Sequence, residues 1–326
     1  MKVTVLGAGA FGTALANLLC QNDNSVTLWG HNAPHLQSVQ ETGCNELYLP
    51  GAKLSPELGY ETDLARAVGE SECLVVAVPS KFLREVTARV PWFKGIAVSV
   101  TKGIEDGSGL TMTGILRETL PRAAAGALSG PSFALEVARG IPGAVVAAHP
   151  DLETAKKIQI LFNTPAFRVY TSADVKGVEL GGALKNVVAI ATGIGDGLGF
   201  GDNTKAALIT RAMAEIRRLG VACGANATTF SGLSGLGDLT VTCFSRLSRN
   251  RNFGERIGRG ETAGQILASA VTVSEGYPTA RSAHHLALKM GVETPIVNEV
   301  YAMLYENKNV RQAVQSLMGR DLKSED

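Results

Sequence analysis

Apolar residues follow two rhythms along this chain. Up to about residue 170, short runs rich in Val, Ile and Leu alternate with stretches whose apolar positions recur every three to four residues. Lys2–Leu6, Ser25–Trp29, Cys73–Val78, Ile96–Val100, Ala127–Ser129, Ala144–Ala148 and Phe167–Tyr170 read as strands. Several are apolar throughout, as strands covered on both faces should be. Between them, Phe11–Gln21, Asp63–Val68, Phe82–Val90, Gly109–Leu120, Ser132–Arg139 and Leu152–Phe162 read as helices. This alternation implies βαβ units and a mostly parallel, doubly wound α/β sheet.

After about Ser172 the strand-like runs stop. Asn203 reads as the cap of a helix with Ile209, Met213 and Ile216 on one face and Gly220 past its end. Thr262 and Gln265 have capping-box spacing, Thr294-Pro295 pairs an N-cap with a proline at the first helical position, and Asn309 and Gly319 bracket the last helix. The expected organisation is an α/β domain over residues 1–172 and an all-α domain over 173–326.

Composition narrows the function classes. With 31 Lys+Arg against 30 Asp+Glu the net charge is +1, which lacks the basic excess typical of nucleic-acid or membrane-surface proteins. The five cysteines are scattered, none in a C-x-x-C, so neither a disulfide framework nor a zinc site is expected and a reducing cytoplasm fits. Lys2 and the apolar stretch ending at Cys20 have some features of a leader segment, but Gly7, Gly9, Gly12 and Asn17 interrupt it. No run is long and apolar enough for a transmembrane helix.

The strongest chemical signal is Gly7-Ala8-Gly9-Ala10-Phe11-Gly12, a G-x-G-x-x-G set between a strand and a helix. In that setting Gly7 permits the turn, Gly9 lets the backbone reach a pyrophosphate and Gly12 lets helix and strand close up. At the end of the second strand, where a carboxylate would grip a ribose 2′-hydroxyl, stand Trp29-Gly30-His31-Asn32. His31 and Asn32 can donate hydrogen bonds, so a 2′-phosphate is tolerated.

Further polar groups sit in apolar or glycine-rich settings. Lys102 follows a strand at the edge where open α/β sheets bind ligands. Ser132, in Ser129-Gly130-Pro131-Ser132, has the position of a helix cap. Gly181–Ile190 is nearly all apolar except Lys185 and Asn186; a lysine there either snorkels to solvent or is desolvated toward acid/base use. Asp238 lies in an apolar loop, suited to orient such a lysine or to shape a turn. Ser248-Arg249-Asn250 begins a basic, amide-rich cluster suited to a phosphate or to plain solvent exposure.

Taken in order, GAGAFGTALA, LWGH, VTKGIE, SGPSFA, LGGALKNV, GLGDL, SRNRNFG and SEGYPT resemble the bacterial NAD(P)-dependent glycerol-3-phosphate dehydrogenases over essentially the whole chain. The resemblance implies a Rossmann-type domain followed by an all-α domain like that of 6-phosphogluconate dehydrogenases, with the active site between them. It implies Lys185 as proton donor and acceptor, with Asn186 and Thr242 as neighbours in the catalytic and phosphate-binding groups. Lys102, Gly130, Ser132, Asp238, Ser248, Arg249 and Asn250 would line the substrate. Gly7, Gly9, Ala10, Phe11, Gly12, His31, Lys102, Ala134, Arg249, Val273 and Glu275 would meet NAD(H) or NADP(H), with no metal. Two departures stand out: Phe11, where Tyr or Trp is also common, and Ala212, where the family usually has Gly. The implied reaction is reversible reduction of dihydroxyacetone phosphate to sn-glycerol 3-phosphate for glycerophospholipid synthesis, by a cytoplasmic enzyme with small-molecule partners only, apart from a possible homodimer. A 3-hydroxyacid dehydrogenase would need a carboxylate-binding group in place of the phosphate cluster. A non-catalytic dinucleotide sensor would not need Lys185 and Asp238 together.

Overall fold

A computed structural model describes residues 1–269, 274–322 and 324–325. The chain opens with β1 (Lys2–Leu6), α1 (Ala10–Gln21), β2 (Ser25–Trp29), α2 (Ala33–Thr42), β3 (Gly59–Glu61), α3 (Leu64–Val68) and β4 (Cys73–Val76). It continues through α4 (Ser80–Ala88), β5 (Ile96–Ser99), α5 (Met112–Thr119), β6 (Ala124–Ser129), α6 (Ala134–Ala138), β7 (Gly143–Ala148), α7 (Leu152–Phe162) and β8 (Phe167–Ser172). The strands form one sheet in the order β3-β2-β1-β4-β5-β6-β7-β8. All neighbours are parallel except β6 and β7, whose antiparallel register pairs Ser129 with Val146. Apolar clusters fill both faces: Val5, Leu15, Val75 and Phe162 belong to one, Leu6, Val76, Leu83 and Ile115 to the other. The continuous apolar strands follow from this double burial.

Two elements were absent from the sequence reading. The α2 helix buries only Leu36 and Val39, so its periodic signal is thin, and the three-residue β3 carries no β-branched side chain. The stretch ending at Cys20 folds as β1 and α1, with Cys20 buried.

From Val175 onward every regular element is helical among the described residues: α8 (Val175–Gly197), α9 (Asp202–Ala222), α10 (Asp238–Phe244), α11 (Arg249–Gly258), α12 (Ala263–Ser269), α13 (Gly276–Met290), α14 (Pro295–Tyr305) and α15 (Val310–Met318). The α9 helix starts one residue before Asn203, with Gly201 at its N-cap, and runs past Gly220. Gly220 does not stop that helix; it makes room for the ring of Phe230, which lies 2.1 Å from where a Cβ would be. The capping box forms as expected, with Thr262 N–H donating to Gln265 Oε1 and Gln265 N–H to Thr262 Oγ1. Asn309 caps α15 by accepting from Arg311 and Gln312 N–H. Ala212 is buried in α9.

The spine of this half is α8, buried without a break from Val178 to Ile194. It touches α11 backbone to backbone. A Cβ on Gly193 would come within 1.9 Å of Arg251 O, and one on Gly254 within 2.0 Å of Ile190 O. Only glycine permits that approach, and it sets the start of α11 beside the middle of α8.

Candidate active site

The glycine-rich turn joins β1 to α1. Gly7 has φ +120°, and a Cβ there would press on the Ala77 backbone at 2.9 Å; one on Gly12 would meet Gly7 O at 2.0 Å. Both glycines are therefore used up by the fold. Gly9 is different: a Cβ there would meet nothing within 4 Å. Gly9 is also the N-cap of α1, which has no side-chain cap and no acidic residue in its first turn. Its leading N–H groups and positive dipole end are thus available to an anion, and no side chain closes the space over Gly9. Asn45, fully buried, holds the turn by donating to Ala8 O at 3.0 Å and Thr13 Oγ1 at 2.8 Å. Sequence reading missed Asn45, because it lies more than 30 residues from its partners. Ala10 and Phe11 are half-buried at the start of α1. His31 is exposed beyond β2, and Asn32 caps α2 by accepting from His35 N–H at 3.1 Å. No carboxylate stands at the end of β2 itself, but the neighbouring β3 brings Glu61 into register with Trp29. Its Oε1 is already engaged by the N–H groups of Thr62 and Asp63, at 2.8 and 2.9 Å.

The second half of the site forms where the sheet edge meets α8. Gly181 lies under Ser234 O, 2.7 Å from where a Cβ would stand, and Gly182 lies under Ser129 Oγ at 2.5 Å. These two contacts bring the end of β6 and the turn before Asp238 against the same stretch of α8. One turn further along α8, Lys185 Nζ donates to Asp238 Oδ1 and, at 2.9 Å, to Thr242 Oγ1. Lys102, arriving from the end of β5, donates to the other oxygen, Asp238 Oδ2, at 2.5 Å and to Gly130 O at 3.1 Å. One carboxylate, 1% exposed, thus holds two ammonium groups, with Lys185 itself 6% exposed. Burial pushes the Lys185 ammonium down to about 7; Asp238 opposes that shift and the nearby Lys102 charge adds to it. Lys185 therefore does not snorkel to solvent, and it is placed to give and take a proton near neutral pH.

Ser132 is not a helix cap. The α6 helix begins at Ala134 with Phe133 at its N-cap, and Ser132 Oγ donates instead to Gly130 O at 3.0 Å. Gly130 O is consequently shared by Lys102 and Ser132. Ala134 packs with Ala14 of α1. Ser129 Oγ is buried without a partner, a feature the sequence did not signal.

Ser248 caps α11, accepting from Arg251 N–H at 3.2 Å. Arg249 is the first residue of that helix and solvent-exposed. Its guanidinium has no hydrogen bond or ion pair among those found for the described residues; the surrounding protein disfavours its charge and Glu275 supports it. Asn250 Oδ1 accepts from Ser274 Oγ at 2.6 Å and Gly276 N–H at 2.9 Å, leaving its Nδ2 as the remaining donor. Glu275 reaches back to α4, accepting from Ser80 N–H at 3.0 Å and Ser80 Oγ at 2.5 Å. Burial raises its carboxyl pKa against the pull of those bonds. Val273 lies outside the described residues.

The site residues thus fall into three groups: the Gly9 cradle with the open edge at His31, the Lys102–Asp238–Lys185 cluster, and the α11 start with Glu275. No group of three or more His, Cys, Asp or Glu side chains that could hold a metal occurs among the described residues. No helix there is long and apolar enough to cross a membrane.

Known proteins match both halves of the chain. Residues 2–155 match the family described as NAD-dependent glycerol-3-phosphate dehydrogenase N-terminus, and residues 174–315 match its C-terminus. A glycerol-3-phosphate dehydrogenase [NAD(P)+] of Citrifermentans bemidjiense is 49% identical over 99% of this chain and 98% of its own. One of Geobacter metallireducens is 50% identical, with the same coverage. The crystal structure of glycerol-3-phosphate dehydrogenase from Coxiella burnetii superposes with a TM-score of 0.93 at 36% identity, over 98% of this chain and 99% of that one. With family matches in both halves, relatives about half identical along nearly the whole chain and a solved structure of the same fold, the chain belongs to the NAD-dependent glycerol-3-phosphate dehydrogenase family.

Proposed function

We propose that this protein interconverts dihydroxyacetone phosphate and sn-glycerol 3-phosphate with NAD(P)H, feeding glycerophospholipid synthesis. The observation that carries this reading is the buried Lys102–Asp238–Lys185 cluster beside a free helix-start arginine. The nicotinamide, when bound, supplies or accepts the hydride at the carbinol carbon. Lys185 delivers a proton to the carbonyl oxygen during reduction and recovers it from the hydroxyl during oxidation. Asp238 and Thr242 hold the Lys185 amine in place, and Lys102 adds positive charge where negative charge develops on that oxygen. Arg249, Asn250 Nδ2 and the start of α11 take the substrate phosphate, which fixes the carbonyl at a set distance from the proton donor. Gly130, Ser132 and Ser248 shape that site through the contacts already described. The Gly7–Gly12 turn holds the pyrophosphate, with Ala10, Phe11, His31, Ala134 and Glu275 along the cofactor.

This reading assigns residues 1–172 to the dinucleotide and 173–326 to substrate and proton transfer. It also takes the protein to be a cytoplasmic enzyme, a homodimer with no nucleic-acid partner; light scattering tests the dimer. The decisive assay follows NADPH and NADH oxidation with dihydroxyacetone phosphate, unphosphorylated dihydroxyacetone and a 3-oxo acid. Efficient turnover of the first alone is expected. Preference for the 3-oxo acid would replace this reading with a hydroxyacid dehydrogenase, and no turnover with any substrate would leave a dinucleotide sensor.

A further inference from the structure

The segment that carries Lys102 leaves the sheet after β5 and rejoins that half of the molecule at α5 as a closed loop. At its near end Thr101 Oγ1 donates to Val78 O at 2.7 Å. Just past Lys102, Ile104 pairs with Thr111 in an antiparallel bridge, and Glu105 N–H donates to Leu110 O at 2.8 Å inside it. Arg84 of α4 holds Glu105 from the sheet side at 2.7 Å. The helical half holds the loop as well. Ile104 is buried in the same apolar cluster as Leu184 and Leu286, and Asp106 pairs with Arg281 at 2.7 Å and His285 at 3.0 Å on α13. The densest attachment is at the far end. Glu179 of α8, 7% exposed, accepts from Thr111 Oγ1 at 2.7 Å, Thr113 N–H at 2.8 Å and Thr113 Oγ1 at 2.5 Å. It supplies the side-chain cap that Thr111 does not give α5. Burying that carboxylate is costly, and the proton-transfer chemistry makes no direct use of it.

Resting on the functional reading above, we propose that Glu179 is a positioning residue for the reaction: by holding Thr111, and through its bridge Ile104, it keeps the Lys102 ammonium on Asp238 beside Lys185. The path is short, because Lys102 stands only two residues from Ile104. With the bridge in place, Asp238 is shared between two ammonium groups. Without it, Lys102 swings away and Asp238 serves Lys185 alone. The charged groups acting on Lys185 are Asp238 from α10, which favours its ammonium form, and Lys102 from the loop, which disfavours it. The neighbouring Cys243 thiol is kept neutral by burial. Withdrawal of Lys102 therefore strengthens the Lys185 ammonium, and reduction of the ketone should persist to higher pH. Loss of the Glu179 charge acting directly on Lys185 would have the opposite sign, because removing an anion weakens an ammonium.

The test is the pH profile of kcat for dihydroxyacetone phosphate reduction by the full-length protein, with hydrogen exchange at the Glu105 and Gly109 amides as a readout independent of activity. In Glu179→Ala the midpoint should rise by about 0.5–1 pH unit, the scale of one charge displaced at a partly solvated site, and both amides should exchange faster. Glu179→Gln retains an acceptor for Thr113 N–H and should stay near the wild-type midpoint. In a Lys102→Ala background, adding Glu179→Ala should move the midpoint no further. A carboxylate with a merely structural role would lower stability and leave the midpoint in place. An unmoved midpoint, a downward shift, an equal rise in Glu179→Gln or a further rise without Lys102 overturns the proposal. Where Glu179→Ala does not fold, Asp106→Ala decides, since that exposed residue anchors the same loop: a rise supports the proposal and no rise overturns it. A wild type that does not reduce the ketone overturns the functional reading, whereas unchanged exchange at Glu105 and Gly109 in Glu179→Ala overturns the anchoring whatever the activity.

Discussion

Glycine does opposite things in the two halves of this molecule. At the seam between α8 and α11, Gly193 and Gly254 let one backbone occupy the space a side chain would take. At the β1–α1 turn, Gly9 leaves that space open, with nothing within 4 Å. The first arrangement is finished when the chain folds, and the second leaves room beside a helix start. Glycine-rich segments therefore need sorting by what fills the missing side chain. Filled positions report folding energetics; an empty one leaves room for an anion where, as at Gly9 and unlike at Gly201, the helix start has neither a side-chain cap nor an acidic residue in its first turn.

Substitution at the seam should have the largest effect. Gly193→Ala forces a methyl into Arg251 O, and overpacking without room to relax should cost about 3 kcal/mol or more. Thermal unfolding followed by circular dichroism would show a large drop in midpoint or an insoluble protein. A midpoint within a degree or two of wild type would mean the seam is looser than its geometry implies.

Lys185→Ala comes next. It should lower turnover by about 10²-fold or more while leaving dinucleotide affinity nearly unchanged. Its pH signature has a definite sign. Because burial brings this amine to about 7, reduction of the ketone, which needs the proton, should weaken as pH rises through that value. Oxidation of the alcohol, which needs the free amine, should strengthen over the same interval. Identical pH profiles in both directions would remove Lys185 from proton transfer.

Arg249→Ala should cost roughly 10- to 150-fold in kcat/KM for the phosphorylated ketone, the scale of one charge-assisted hydrogen bond. It should barely change the poor activity on unphosphorylated dihydroxyacetone. Equal, severe losses on both would place Arg249 with the cofactor or the fold.

Gly9→Ala is the smallest change and the sharpest counterpart to the seam. Gly9 has extended backbone angles, φ −78° and ψ −178°, that alanine adopts freely. Stability should therefore stay within about 0.5 kcal/mol of wild type. Dinucleotide affinity, read by calorimetry, should fall about tenfold as the methyl enters the pyrophosphate space. An unstable Gly9→Ala protein would show that this space belongs to the fold after all.

Local patterns carried much of this structure in plain view. The β1–turn–α1 unit, the capping box at Thr262, the cap at Asn309 and the isolation of Lys185 in an apolar helix all depend on neighbours a few residues apart, which a linear sequence displays. Misreadings came where a distant contact overrode local preference. Gly220 has the composition of a helix stop, yet α9 continues because the Phe230 ring needs its missing side chain. Ser132 has the spacing of a cap, yet its hydroxyl goes to Gly130 O.

The order of most elements, the glycine turn ahead of α1 and the placing of Lys185 in an apolar helix were thus decided by sequence alone, since they rest on short-range sterics, caps and periodicity. Tertiary structure decided which of those residues meet. Lys102, Lys185 and Asp238 are separated by 53 residues or more, and nothing in their spacing says that one carboxylate will hold both amines. That outcome required the Gly181–Gly182 step on α8 to admit the Ser234 backbone and the end of β6 at once. The amine's low pKa has the same origin: desolvation is a property of surroundings assembled from the whole chain, not of the lysine or its immediate neighbours.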